Sequence, residues 1–230
     1  AIYLVKQSFP LLLSGAAIII YQKIDQVMIG NMINKEAVGY YSIAGKFLEI
    51  CIFVPTILTQ TITPILVKAR EQNEKEYREK AQVFMSITVW GSIIMCLLVS
   101  LLAKLLIQFT FGAQYIASVV LLQIMVFKVI GYAHAQITGA MIIVENKQKY
   151  VVVRNLIGCF CAIGFNLLMI PSFGAIGAAI SSVVTAACTG IFSHLIIPSY
   201  RPFFKMQIYS FVYGWKDLTR ICALKKHNIA

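Results

Sequence analysis

The chain has 230 residues, of which 59% are hydrophobic and 13% charged, with a net charge of +11 and a mean hydropathy of +0.79. Soluble domains carry about 45–50% apolar and about 25% charged residues, so both measures exclude an ordinary soluble domain. The positive charge does not build a nucleic-acid-binding face: the Lys and Arg residues sit mostly in short polar segments between long apolar blocks, where a membrane protein keeps its anchors.

The expected fold is an all-α integral membrane protein, a bundle of about six transmembrane helices. The first span covers 8–33 and carries Lys23 and Asp25 in its interior. The second covers 38–67, with Lys46, Glu49, Pro55 and Pro64 inside it. Prolines are tolerated there where neighbouring helices or waters satisfy the freed carbonyls. A polar connector follows, pairing Glu71 with Lys75, Glu74 with Arg78 and Glu76 with Lys80 at i,i+4 spacing, as a solvated helical face does. The third span is 83–107, with Lys104 near its end, and the fourth is 119–144, with Lys128 and His134. The fifth, 151–170, is stopped by Pro171, and the sixth, 176–197, by Pro198. The remaining segment, 199–230, is too polar to span. It reads as a cytoplasmic interfacial helix with Phe204, Ile208, Phe211, Val212, Trp215 and Leu218 on one face.

Counting Lys and Arg orients the bundle. With the N-terminus inside, the cytoplasmic segments hold Lys6, five between Lys68 and Lys80, three between Lys147 and Arg154, and six from Arg201 to Lys226. That makes fifteen, against Lys35 alone outside. Both termini are therefore expected in the cytoplasm, as an even number of spans requires. The six cysteines lie almost all in apolar blocks and act as small hydrophobes. Cys159 and Cys161 are two apart on a helix and point to different faces, which leaves no metal pair.

Charged side chains inside spans cost about 2.5–3.5 kcal/mol each at a helix centre, so they are expected to face a partner or a wet cavity. Measured from the turn near Lys35, Asp25 and Lys46 fall at similar depth, and Lys23 and Glu49 nearly so. Two readings fit: interhelical ion pairs that pin the first two helices, or the charged wall of a substrate pathway made by Lys23, Asp25, Lys46, Glu49, Lys128 and His134. Lys128 has no acid on its own span. A fainter polar line in the last two spans, Asn166, Ser181, Ser182 and Thr185, fits hydrogen bonding between helices.

Several stretches carry a resemblance. Ile20 to Gly30 holds the intramembrane acid and is followed by Val38-Gly39-Tyr40-Tyr41-Ser42-Ile43-Ala44. Phe111 to Tyr115, and then Asn166 to Ala179 with Pro171, Gly174 and Gly177, complete the set. In order and spacing these resemble the polysaccharide flippases, the O-antigen and teichoic-acid branch of the multidrug/oligosaccharidyl-lipid/polysaccharide exporter superfamily, over nearly the whole chain up to Pro198. The resemblance implies one lobe of a two-lobe exporter fold, with an N-terminal six-helix half missing from this chain as its partner. A first residue that is not Met agrees with that expectation. It further implies a transporter and not an enzyme, working in the bacterial cytoplasmic membrane. Its substrate would be a lipid-linked glycan of the undecaprenyl-pyrophosphate type, as in lipopolysaccharide and other surface-polysaccharide pathways. No cofactor is implied beyond a coupling ion, Na+ or H+, and relatives that bind one place Asp25 and Asn166, with Ser181 and Thr185, at the matching positions.

The cationic interior (Lys23, Lys46, Lys128, His134) suits a pyrophosphate, and Tyr21, Tyr40, Tyr41 and Tyr132 suit sugars. A cation-coupled multidrug antiporter of the same superfamily would favour an acidic interior. An intramembrane polyprenyl-phosphate enzyme would need acid or His clusters at the membrane surface, which the loops lack.

Overall fold

A computed structural model describes the backbone of residues 19, 20 and 22–227. The beginning of the expected first span (8–18), Tyr21, and the side chains of Lys149 and of residues 218–230 lie outside the described residues. Within them the chain is helical throughout, with no strand. α1 covers residues 22–32, α2 Lys35–Gln72, α3 Glu74–Phe111, α4 Ala117–Met125, α5 Lys128–Val144, α6 Val151–Ala187, α7 Ser193–Ile196 and α8 Arg201–His227. Four helical stretches among the described residues are long and apolar enough to cross a membrane: Lys35–Gln72, Glu74–Phe111, Ala117–Val144 and Val151–Ile196.

Local chemistry sets the boundaries. Asn34 starts α2 by accepting the Ala37 amide at 2.8 Å, with Glu36 in the first turn. Asn73 serves two helices at once. Its amide closes α2 on the Ala69 carbonyl, and its side chain opens α3 by accepting the Lys75 amide at 2.8 Å. The polar connector is thus one residue between two protruding helix ends. Glu74 pairs with both Arg70 and Arg78, and Glu76 with Lys80 at 2.7 Å, while Glu71 and Lys75 stand on different helices. Gly112 ends α3 with φ +92, a conformation that favours glycine.

Two long helical stretches are interrupted, one inside the expected fourth span and one at the expected boundary between the fifth and sixth. Between α4 and α5 the helix tightens: Phe127, Val129 and Ile130 donate to carbonyls three residues back, and the Val126 carbonyl takes the Cys96 thiol at 3.1 Å. α6 breaks at Gly174 (φ +59, ψ −138), after Pro171, into two arms. The arms lie side by side, with Cys161 and Cys188 in reach of one another and Gly177 directly on the Met169 carbonyl. A π-helical turn, Cys188–Phe192, then leads into α7.

Side chains sort opposite to a water-soluble protein. Leu97, Leu98, Leu101, Leu105 and Phe109 are exposed along α3, Leu101 at 80% and Phe109 at 92%. Asp25, Ser86, Ser92, His134, Thr138, Asn166 and Ser181 are buried. Outward apolar surface on this scale is stable only against hydrocarbon, and the polar groups find partners only inside. The chain is therefore an all-helical integral membrane protein.

α8, the helix expected at the interface, is docked on the bundle by hydrogen bonds. It lies along α3, burying Phe203, Gln207, Ser210 and Gly214 and leaving Ile208, Val212 and Trp215 outside. The reason is hydrogen bonding: α3 offers Gln82, Ser86 and Trp90 on this side, and α8 meets them with its polar face.

Candidate substrate cavity

Four helices leave a space of about 380 Å³ between them. α1 contributes Gln22, Lys23 and Gln26, and α2 contributes Tyr41, Gly45, Leu48, Glu49 and Ile52. Those α2 positions are spaced i, i+4, i+7, i+8, i+11, one stripe of a helix. α5 adds Lys128, Tyr132, Ala135 and Gln136 in the same pattern, and α6 adds Arg154 and Asn155 from one arm and Thr185 and Ala186 from the other. The α4–α5 interruption falls immediately before Lys128, so this lysine opens a helix inside the bundle. Broken helices at membrane depth are tolerated where they line protein interior or a wet cavity.

Three cations, Lys23, Lys128 and Arg154, and one acid, Glu49, line this space, with Asp25 buried outside the lining. Lys23 Nζ stands 3.5 Å from Glu49 Oε1, and both side chains are largely exposed, at 56% and 71%. This is a rim pair. Asp25 is buried beneath it. Its Oδ2 accepts the Tyr41 hydroxyl at 2.8 Å and its Oδ1 accepts Asn166 Nδ2 at 2.7 Å, joining α1, α2 and α6. Lys128 lies within electrostatic reach of both Asp25 and Lys23. Gln136 Nε2 donates to Thr56 Oγ1 at 3.0 Å and to Tyr132 Oη at 3.3 Å, which fixes the amide on the cavity wall.

The structure brings together Lys23, Glu49 and Lys128 at the cavity, with Asp25 and Asn166 behind them. Thr185 lines it, and Ser181 is buried one turn earlier on the same helix. Asn166 Oδ1, Ser181 Oγ and Thr185 Oγ1 are buried acceptors without a hydrogen-bond partner among the described residues. Two expected pathway residues sit elsewhere. Lys46 is exposed and rests 5.9 Å over the Phe111 ring; similar depth did not pair it with Asp25, because position 46 is rotated off the stripe that 41, 45, 48 and 49 present. His134 is fully buried away from the cavity, its ring 4.6 Å from that of Phe211 on α8, since residues 132, 135 and 136 turn the opposite side of α5 to the cavity. Tyr40 lies outside the lining as well, bonded to Glu36 at 2.6 Å and edge-on to Tyr115.

Sequence reasoning missed Gln22, Gln26, Gln136, Arg154, Asn155 and Thr189 as lining residues. Arg154 was counted as a cytoplasmic anchor. The signal that finds it is position: it lies inside α6, not before it, next to the buried Asn155.

Known proteins supply the remaining context. The family profile described as polysaccharide biosynthesis protein matches residues 2–120. A capsular polysaccharide biosynthesis protein, CapF, of Staphylococcus aureus is 24% identical over 179 residues, which is 77% of this chain and 45% of the relative. The chain thus spans less than half the length of that curated relative. With its profile match covering just over half of its residues, this all-helical membrane protein belongs to the polysaccharide biosynthesis protein family.

Proposed function

We propose that the chain is one lobe of an exporter that moves a lipid-linked oligosaccharide, with a polyprenyl-pyrophosphate anchor, across the bacterial cytoplasmic membrane for surface polysaccharide assembly. The observation that carries this reading is the cavity's composition: Lys23, Lys128 and Arg154 against Glu49, interleaved with Tyr41, Tyr132, Gln22, Gln26 and Gln136. Fixed cations in a site of low effective dielectric favour a diphosphate head group. Amides and tyrosines match the hydroxyl-rich faces of sugars by hydrogen bonding and stacking. In repeat-built transporters the substrate site lies between two repeats, so a facing six-helix lobe would complete this one. The basic α2–α3 turn and Lys147 support an orientation with these helix ends in the cytoplasm, by the positive-inside rule. The reading is of a carrier, as the cavity between membrane helices supports.

One specific observation favours a coupling ion. Asp25 is buried against Asn166, whose Oδ1 is unpartnered, and the other arm of α6 carries the unpartnered Ser181 Oγ and Thr185 Oγ1; together these oxygens suit Na+ or, through the carboxylate, a proton. The same oxygens are what a cation-coupled multidrug antiporter would need, but the cationic cavity beside them fits an organic cation poorly.

Lys128 decides between them. In the complete protein, Lys128→Arg should retain most export, because Arg keeps the charge and grips phosphate oxygens in pairs. Lys128→Gln should lose at least about tenfold, the factor that about 1.4 kcal/mol of binding represents, at unchanged abundance. Surface glycan display in a cell lacking its own flippase, normalised to protein level, is the measurement. Normal display by the Gln variant removes Lys128 from the site, and drug efflux sensitive to Asp25 alone supports the antiporter.

A further inference from the structure

α8 turns Phe203, Gln207, Ser210 and Gly214 towards the bundle and turns Ile208, Val212 and Trp215 away from it, with Lys205 and Lys216 also exposed. Gln82 Nε2 on α3 donates to Ser210 Oγ at 2.8 Å and to the Met206 carbonyl at 3.1 Å. Ser86 Oγ donates to Asp217 Oδ2 at 2.7 Å, and Trp90 Nε1 to the Ser210 carbonyl at 2.9 Å. A Cβ on Gly214 would stand 3.0 Å from both Ser86 and Trp90, so α8 packs there as closely as a glycine permits. Lys147, just past the end of α5, stands over the Phe203 ring, and His134 within α5 lies against the Phe211 ring, so α8 climbs from the 147 end of α5 towards its middle as its own numbers rise. α3 enters its apolar stretch at about Val83 and continues to Ile107. Contacts at Ser86 and Trp90 therefore lie inside the apolar layer, about 5 to 10 Å past its edge at about 1.5 Å per residue.

The other side of α8 presents Ile208, Tyr209, Val212, Tyr213 and Trp215, all exposed, and continues the lipid-facing surface of α3 at Leu97, Leu98 and Leu101. A helix lying flat at the interface would also turn this stripe to lipid; what sets α8 apart is that its other side is hydrogen-bonded to α3 at Ser86 and Trp90, inside the apolar stretch. What it covers explains why. Beneath it lie His134, stacked on Phe211, and His194, whose Nδ1 is 3.4 Å from Gln207 Nε2, together with Ser86 and the Trp90 indole N–H. Gln207 also donates to the Gly190 carbonyl at 2.8 Å, on the π-helical turn. Exposed to hydrocarbon, the Trp90 indole N–H would lose its acceptor on α8.

We infer that α8 is embedded in the bilayer from Phe203 to Trp215, where it seals a polar seam of the bundle and binds the acyl chains of the leaflet that holds the α2–α3 turn. Lys216, over the Tyr213 and Trp215 rings at 5.3 and 5.8 Å, marks the far end of this lipid-facing face.

Nitroxide labels placed singly at Ile208, Val212 and Trp215, in the complete chain reconstituted into phospholipid bilayers with its native cysteines replaced, test this by collision with oxygen and with a nickel chelate. Oxygen should dominate at all three, comparable to a label at Leu101 and unlike one at Lys75. Nickel contact equal to that at Lys75 would place α8 in water, and low collision with both reagents would mean that protein covers the face; either result overturns the inference. Gly214→Leu should lift α8 from α3 and raise nickel contact at Val212 several-fold, and no change would refute the close docking. Wild-type cysteines can be kept in a second measurement, because the chain has two tryptophans, Trp90 and Trp215. Acyl-brominated phospholipid should quench the wild type, and Trp215→Phe should lose most of that quenching; full retention would overturn the lipid contact.

Discussion

Two polar regions of this bundle are built from similar side chains and differ in what closes them. Around Asp25, three helices meet in a charged, hydrogen-bonded core that opens through Lys128 and the Lys23–Glu49 pair to a cavity. Around Ser86 and Gln207 the groups are uncharged apart from Asp217, and α8 lies over them. Both hold buried atoms without a partner among the described residues, Asn166 Oδ1, Ser181 Oγ and Thr185 Oγ1 in the first and Gln207 Oε1 and His194 Nε2 in the second, but the first lies beside the cavity, as a site that takes an ion or a head group does. The second uses its groups to hold helices together. Burying polarity in a membrane thus serves transport or assembly according to whether a path to water remains.

The comparison breaks most visibly at Asp25. Asp25→Ala orphans the Tyr41 hydroxyl and the Asn166 amide, at about 1–3 kcal/mol for each buried donor left without an acceptor. Membrane abundance and the thermal midpoint in detergent should both drop, and Asp25→Asn, which keeps one acceptor oxygen, should drop less. Equal midpoints for all three proteins would mean that the carboxylate does not hold these helices.

A second test separates close packing from open space within the same helices. A Cβ at Gly190 would overlap the Gly131 carbonyl where α5 crosses the π-helical turn, whereas nothing lies within 4 Å of one at Gly139. Gly190→Ala should therefore destabilise by about 1–3 kcal/mol through overpacking. Gly139→Ala should be neutral or stabilising by up to about 1 kcal/mol. Thermal unfolding that ranks the two the other way would contradict the crossing geometry.

The smallest effect on stability belongs to the cavity rim. Glu49→Gln breaks an exposed ion pair worth about 0–1 kcal/mol, so the midpoint should barely move. Inorganic pyrophosphate binding should instead tighten, because Lys23 loses its competing acid, and Lys23→Gln should weaken it. Calorimetric titration that finds both variants equal to wild type would confine the site to Lys128 and Arg154.

Much of the bundle was legible in the residues. Apolar blocks of membrane length predicted the helices, and Asn34, Asn73, Gly112, Pro171 and Gly174 mark real ends or breaks because capping and backbone chemistry act within a few residues. The acid in the first span pointed to its own importance, and its bond to Asn166 joins two residues already singled out. The interruption before Lys128 was not legible, since Leu121 to Val129 contains neither Gly nor Pro. The tightened turn there answers to a neighbouring helix, through the Cys96 thiol on the Val126 carbonyl.

Composition, block length and charge placement determined by themselves that this chain lives in a membrane, because transfer from water to hydrocarbon depends on each segment's own groups. Which charged residue meets which partner was decided only by tertiary structure. Depth along a helix follows from counting, but facing depends on rotation about the helix axis and on which neighbour supplies a hydrogen bond. Lys46 and Asp25 share a depth and stay apart, while Asp25 and Asn166, 141 residues apart, meet at 2.7 Å. On α8, counting put Ile208, Val212 and Trp215 on one face, and the hydrogen bonds offered by α3 decided that Gln207 and Ser210 turn to the bundle.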